Sequence, residues 1–290
     1  MKQALTTPRL KAMKSQGKPI AMLTAYDYPS AMLAEEAGVD AILVGDSLGN
    51  VVLGYDTTVP VKLEDMIYHT RAVVRGAPGT MVVTDMPFAT YRLGPEATLR
   101  NAARLMQEGG AHAVKLEGGA ELVDEIRLLA SAGIPVLGHI GLTPQMVHQI
   151  GGYKVQGKSS EQAERLLQDA KALEQAGAFG IVLELVTEEL AAAVTHSIGI
   201  PTIGIGAGRG CDGQVLVYHD LLKYGSGIRD KKMVKSYANI GDTVREAIAQ
   251  YVDEVKTKAF PEEKHAFTLK QDSAEASNEA ASKLYGSDRK

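Results

Sequence analysis

The chain is predicted to fold as an α/β protein, a single closed barrel of eight parallel strands with helices outside. Three observations predict it. Short apolar, β-branched segments alternate with helix-spaced segments about eight times along 290 residues. Such alternation builds a parallel sheet, because each return to the next strand passes through a helix. Barrels of this kind run to roughly 250 residues as one unit. Finally, five of the strand segments end in polar or charged residues: Asp46 with Ser47, Asp85, Glu117 with Lys115, His139 and Glu184. In a (β/α)8 barrel the loops after the strands share one face, and chemistry occurs there. An open doubly wound sheet is the alternative.

The elements follow in order. A basic, mildly amphipathic stretch at 8–17 reads as a short helix ending at Gly17. PIAMLTAY (19–26) is a strand and YPSAMLAEEAG (28–38) a helix stopped by glycine. VDAILVGD (39–46) is the second strand; a glycine-bearing loop leads to a helix over 61–76. TMVVTDM (80–86) is the third strand, and PEATLRNAARLMQEGG (95–110) a helix with proline at its start and glycine after its end. AHAVKLE (111–117) with its helix at 121–133, then IPVLGHI (134–140), continue the rhythm. A glycine-rich loop spans 141–158, before a long helix over 159–177 with a serine N-cap. AFGIVLEL (178–185), a helix at 187–198 and IPTIGIG (200–206) follow. QVLVYHD (214–220) is a weaker eighth strand, and the remainder reads as helical to about Tyr251.

Residues 1–260 are therefore expected to form one barrel domain with a short N-terminal helix. Residues 261–290 are polar and nearly free of large apolar side chains, so they read as a disordered tail, with a short bound-state helix over 277–284 as an option.

Composition narrows the function. Hydrophobic residues are 45% and charged residues 23%, ordinary for a globular chain. A net charge of −4 and the lack of a basic block argue against nucleic acid. No run approaches the roughly 18 apolar residues of a membrane span, and the N-terminus shows no secretory signal. One cysteine, Cys211, excludes an intrachain disulfide and fits a cytoplasmic location. Tryptophan is absent and aromatics are 5%, so small and β-branched side chains fill the core.

Strand side chains alternate between faces. Lys115 and Glu117 share a face with Ala113, Asp85 with Val83, His139 with Leu137 and Glu184 with Val182; the same reading pairs Asp46 with Val44. Asp46, Asp85 and Glu117 are three carboxylates on neighbouring strands, which repel one another unless a proton or cation intervenes. Carboxylate oxygens suit a hard divalent ion, Mg²⁺ above all. Lys115 either holds a substrate carboxylate or neutralises Glu117. Glu184 is a candidate general base. His139 either bonds substrate or orients a neighbour. The other histidines show no metal spacing. GIGAGRG (204–210) matches neither the dinucleotide nor the Walker pattern and reads as a tight turn, with a phosphate or pterin contact as a weaker option.

The segments MLTAYDYPSA, ILVGDSLGNVVLGYDTT, VVTDMPFATY, VKLEGG, PVLGHIGLTPQ, VLELV, IPTIGIGAG and CDGQVLV together resemble the ketopantoate hydroxymethyltransferase family over about residues 5–265. The resemblance implies a TIM barrel of the phosphoenolpyruvate/pyruvate superfamily type. It implies transfer of a hydroxymethyl group from 5,10-methylenetetrahydrofolate to 3-methyl-2-oxobutanoate, giving 2-dehydropantoate for pantothenate and coenzyme A. Mg²⁺ is implied with Asp46, Asp85 and Glu117 around it. Asp46, Ser47, Asp85, Lys115 and His139 are implied at the substrate, and Glu184 as the proton acceptor. A homodecamer is implied as well. Competing readings are an Mg²⁺-dependent C–C lyase acting on a 2-oxo acid, and a non-catalytic barrel that binds a small acid.

Overall fold

The computed structural model describes residues 6–225 and 231–267. The chain divides into two compact units, Met1–Asn239 and Ile240–Lys290. In the first unit eight strands, each paired in parallel with the next, close into a barrel when β8 pairs with β1. They are β1 Ile20–Thr24, β2 Ala41–Val44, β3 Met81–Asp85, β4 Ala113–Glu117, β5 Val136–Gly141, β6 Gly180–Glu184, β7 Thr202–Ile205 and β8 Gly213–Leu216. The open-sheet alternative is excluded by that closure. The helices are α1 Thr7–Ser15, α2 Tyr28–Glu36, α3 Leu48–Val51, α4 Leu63–Gly76, α5 Pro95–Gln107, α6 Val123–Ser131, α7 Val147–Ile150, α8 Ser160–Ala176, α9 Glu188–Ser197 and α10 Tyr218–Leu222.

Local chemistry explains most boundaries. Asp27 caps α2 by accepting from the Ser30 N–H at 2.8 Å, and Ser159 caps α8 by accepting from the Gln162 N–H at 3.2 Å. Gly177 ends α8 in the left-handed conformation at φ +106°.

Two apolar layers hold the barrel. Outward side chains such as Ile42, Val44, Val82, Val114, Leu116, Ile181 and Leu183 pack under the helices. Inward side chains fill the interior: Ile20, Met22, Leu43, Met81, Val83, Leu137, Val182, Ile203 and Val215. Leu10 of α1 belongs to this inner set, so α1 closes the floor of the barrel. It is pinned by Lys14, whose Nζ donates to Thr195 O at 2.7 Å and Asp212 Oδ2 at 2.9 Å. Asp212 Oδ2 in turn accepts from the Thr202 N–H at 2.8 Å. Leu10→Ala is expected to destabilise the fold by about 2–5 kcal/mol, the usual range for such a deletion in a core. A urea midpoint unchanged from that of the native chain would show that α1 does not seal the interior.

Several sequence readings shift. Leu43 points inward and Val44 outward, so Asp46 does not share a face with an inward Val44 as expected. β2 stops at Val44, and the turn through Gly45 brings Asp46 round instead. β8 ends at Leu216 rather than at residue 220. There the Tyr218 N–H leaves the sheet to donate to Thr24 Oγ1 at 2.9 Å, and α10 begins. Gly213 is needed for closure, since a Cβ there would lie 2.4 Å from Ile20 O. The run to Tyr251 is not one helix: Lys223, at φ +47°, ends α10. The loops at 47–54 and 141–158 contain short helical turns that spacing did not reveal.

The second unit contains α11 Ile240–Thr257, then a 3-10 turn at Glu263–His265. Tyr251 packs edge-on against Phe260, with ring centroids 5.8 Å apart. The expected tail falls largely, and its optional helix wholly, outside the described residues.

Candidate active site

The inward face carries apolar side chains low in the barrel and ionisable ones at the C-terminal mouth. Register sets this pattern: Asp85 lies beside Lys115, Glu117 beside His139, and Gly141 beside Glu184. Gly141 adopts φ +94°, and a Cβ there would sit 2.4 Å from Glu184 O. Only glycine lets β5 approach β6 closely at that level. Leu185, just after Glu184, takes φ +46°, a conformation uncommon for L residues, and turns the chain sharply out of the strand.

Asp46, Asp85, Lys115, Glu117 and His139 are all buried, and Glu184 is partly buried beside them. Asp85 Oδ2 accepts from the Asp46 N–H at 3.0 Å. Lys115 Nζ lies 3.1 Å from Asp85 Oδ1 and 3.7 Å from Glu117 Oε1. The lysine therefore sits among the carboxylates as their counter-ion. His139 connects the cluster to the base candidate: Nδ1 is 3.5 Å from Glu117 Oε1 and Nε2 is 3.4 Å from Glu184 Oε2. Ser47 Oγ bonds Tyr26 Oη at 2.8 Å. The strand-end residues singled out from the sequence are thus brought together at one mouth.

Three residues of this network escaped sequence reasoning. Gln145 is buried; its Nε2 donates to Asp46 Oδ2 at 2.9 Å and Met86 O at 3.0 Å, and its N–H donates to Glu117 Oε2 at 3.0 Å. Tyr91 Oη donates to Gln145 Oε1 at 2.7 Å. Tyr26 is the partner of Ser47. The available signals are the loop positions of Gln145 and Tyr91 after β5 and β3 and the presence of all three residues in the segments that carry the family resemblance, neither of which says where a side chain points.

The field inside the mouth is strong. Burial, then Asp85 and Glu117, raise the Asp46 carboxyl well above the usual range. Burial also raises Asp85, with Lys115 opposing and Glu117 assisting. Burial works against ionised Glu117 too, but Lys115 and His139 outweigh it and hold that carboxyl low. Lys115 stays charged despite burial, because Asp85, Glu117 and Asp46 favour the cation. Burial and Lys115 push His139 down, while Glu117 and Glu184 pull it up, to about 9. A doubly protonated ring conflicts with the contact between Lys115 Nζ and His139 Nδ1, which is only 3.0 Å. That distance needs one acceptor. When the ring is neutral, Nδ1 accepts from Lys115, and Nε2 stands 3.4 Å from Glu184 Oε2 without a directed hydrogen bond.

The three carboxylates offer the oxygen chemistry that a hard divalent ion takes. Each has one oxygen held by a backbone or amide N–H: Asp46 by Gln145, Asp85 by Asp46, Glu117 by Gln145. Asp85 Oδ1 is buried and accepts no directed hydrogen bond. Among the described residues, no three His, Cys, Asp or Glu side chains stand as a ready-made ligand set. It is the chemistry of the donors, carboxylate oxygens with one of them orphaned, that fits a hard cation such as Mg²⁺ rather than their spacing.

The fold and mouth define a (β/α)8 barrel with a cluster of ionisable side chains at the C-terminal ends of its strands. The structure superposes on 2,3-dimethylmalate lyase, itself a phosphoenolpyruvate mutase/isocitrate lyase superfamily member, with a TM-score of 0.56 at 20% identity, covering 97% of this chain and 98% of the other. It superposes on phosphonopyruvate hydrolase, solved with oxalate and Mg²⁺, with a TM-score of 0.58 at 13% identity, covering 97% and 99%. At such identities the likeness concerns the fold. The family model for ketopantoate hydroxymethyltransferase matches residues 4–263. A 3-methyl-2-oxobutanoate hydroxymethyltransferase of Bacillus cereus (strain AH187) is 60% identical over 260 residues, covering 90% of this chain and 93% of the relative. The chain belongs to the ketopantoate hydroxymethyltransferase family and is a transferase of that class.

Proposed function

We propose that the chain transfers a one-carbon unit from 5,10-methylenetetrahydrofolate to 3-methyl-2-oxobutanoate, giving 2-dehydropantoate for pantothenate synthesis. One observation carries the reading at the level of chemistry: a buried carboxylate–lysine cluster linked through His139 to a partly exposed carboxylate, Glu184. The name of the Bacillus relative supports the choice of acceptor.

Asp46, Asp85 and Glu117 would hold Mg²⁺, which when bound would supply Lewis-acid polarisation of the oxo acid. Lys115 and Ser47, with the backbone around Asp46, hold the carboxylate end of the substrate. A buried ammonium favours an anion strongly there, because little water screens it. Glu184 accepts the proton from C3 of the acid. His139, whose Nε2 lies 3.4 Å from Glu184 Oε2, stands beside that carboxylate. The electron pair released from the C3–H bond forms a bond to the methylene carbon. Both C–N bonds of the methylene carbon to folate break, water supplies the hydroxyl, and the two nitrogens take up the C3 proton and one proton of water as tetrahydrofolate leaves. Acid, methylene donor and water balance against hydroxymethylated acid and tetrahydrofolate.

Residues 1–260 form the catalytic domain in this reading, which the family match over residues 4–263 supports. A homodecameric assembly follows the habit of the family. A cytoplasmic setting fits the single cysteine, and among the described residues no helix is long and apolar enough to cross a membrane.

The test is direct. The purified chain is expected to consume 3-methyl-2-oxobutanoate only with both Mg²⁺ and 5,10-methylenetetrahydrofolate, and mass spectrometry should show a product heavier by CH₂O. Chelation should stop the reaction and Mg²⁺ should restore it. Folate-independent cleavage of a 2-oxo acid would favour the lyase reading, and absence of any turnover the binding one.

A further inference from the structure

We infer that Gln145 is a positioning residue of the cation site, an inference that rests on the metal-dependent reading above. Its side chain is fully committed. One amide hydrogen goes to Asp46 Oδ2 at 2.9 Å and the other to Met86 O at 3.0 Å. Its carbonyl accepts from Tyr91 Oη at 2.7 Å. The two acceptors on one side fix the orientation of the amide, because a flip would set its oxygen against Asp46 Oδ2 and Met86 O and lose both donated bonds. Meanwhile the backbone N–H of the same residue holds Glu117 Oε2 at 3.0 Å. One residue thus grips two carboxylates that approach from different strands, and does so on a single oxygen of each.

The consequence is stereochemical. A carboxylate rotates freely about its last bond unless one oxygen is held. With Oδ2 occupied, Asp46 presents Oδ1 and keeps that orientation. Asp85 is held in the same way by the Asp46 N–H, at 3.0 Å, so a shift of Asp46 passes to Asp85. Tyr91 extends the chain outward: its hydroxyl also lies 3.0 Å from Glu117 O and accepts from the Glu117 N–H at 3.3 Å. Outer hydrogen bonds of this type align metal ligands, and their loss commonly weakens metal binding by about 10–100-fold.

Gln145→Met keeps the length of the side chain and removes its donors and acceptor. Mn²⁺, followed by electron paramagnetic resonance on the folate-free protein, reports binding without any turnover. Gln145→Met is expected to bind Mn²⁺ about 10–100-fold more weakly, with urea unfolding confirming that the variant remains folded. Tyr91→Phe, which leaves the Gln145 side chain in place and removes the hydroxyl's bond to the amide oxygen together with its contacts to the Glu117 backbone, should shift affinity in the same direction by less. Loss of stability with unchanged Mn²⁺ affinity would overturn the inference and make Gln145 a packing residue. If Gln145→Met does not fold, Tyr91→Phe decides alone, and native affinity in it overturns the inference. Turnover of the native chain separates the two levels. A native enzyme that works, with variants that bind Mn²⁺ as it does, defeats only the role of Gln145. A native chain that binds no Mn²⁺ defeats the metal-dependent reading as well.

Discussion

Glu184→Gln is expected to lower turnover by about 10²–10⁴-fold, the usual contribution of a positioned base, while leaving binding of the oxo acid almost intact. The replacement is isosteric. His139 Nε2 lies 3.4 Å from Glu184 Oε2 without a directed hydrogen bond, and the ring is held at Nδ1 by Lys115 at 3.0 Å, so it keeps its place. Nothing among Asp46, Asp85, Lys115 and Glu117 is altered. What disappears is the capacity to take up a proton. The cleanest measurement omits folate: the native enzyme, with Mg²⁺ in D₂O, should exchange the C3 proton of 3-methyl-2-oxobutanoate for deuterium, visible by NMR. Exchange should fall in parallel with turnover. A variant that exchanges at the native rate but fails to form product would move the base elsewhere and leave Glu184 a role in the folate half of the reaction.

Lys115→Met is expected to be damaging in a different way. Lys115 is 3% exposed and lies between Asp85 and Glu117. Removing one partner of a buried ion pair leaves the other charge desolvated, with a typical penalty of about 3–5 kcal/mol. The sign of the pH response follows. Asp46 and Asp85 already sit above the usual carboxylate range, and without the lysine Glu117 loses the largest influence holding it low. A carboxyl raised in the folded state binds more protons there than in the unfolded chain, so stability falls as pH rises and recovers on acidification. The gap between variant and native stability should therefore narrow as pH falls from 7 toward the carboxylate range, and also when Mg²⁺ is added. Urea midpoints at several pH values provide the check. A variant as stable as the native chain at neutral pH, with no pH trend, would show that the lysine is not the counter-ion.

Much of this arrangement is legible in the sequence, and the reason is periodicity. Strands of a parallel barrel have fixed direction, so a side chain at the last inward position must reach the mouth. That logic places Asp85, Lys115, Glu117, His139 and Glu184 correctly. It fails at Asp46, which lies beyond the end of β2, where the chain has left strand geometry and parity no longer applies. It is silent on Gln145, Tyr91 and Tyr26 as well. Their directions depend on how the following loops fold back, and a 3-10 turn at Pro144–Met146 has no two-residue rhythm to read. The eighth strand was overextended because Val217 and Tyr218 have strand-like chemistry, whereas the bond to Thr24 Oγ1 draws the backbone into a helix. Lys115 offered two readings from spacing alone; the structure shows its contacts to Asp85 and Glu117, and a salt partner within the protein does not prevent it from meeting an anionic guest.

The clasp of Lys14 on Asp212 joins positions 198 residues apart. During synthesis the first helix leaves the ribosome long before its seat exists. Its apolar side, led by Leu10, must wait until β7 and β8 have emerged, and only then can the underside of the barrel be shut. Chain closure of such span is slow to find, since distant contacts are reached only after much ordering. A bulky fusion at the amino end therefore threatens the final docking step more than the assembly of the strands, and a carboxyl-terminal tag is the safer handle for making this protein.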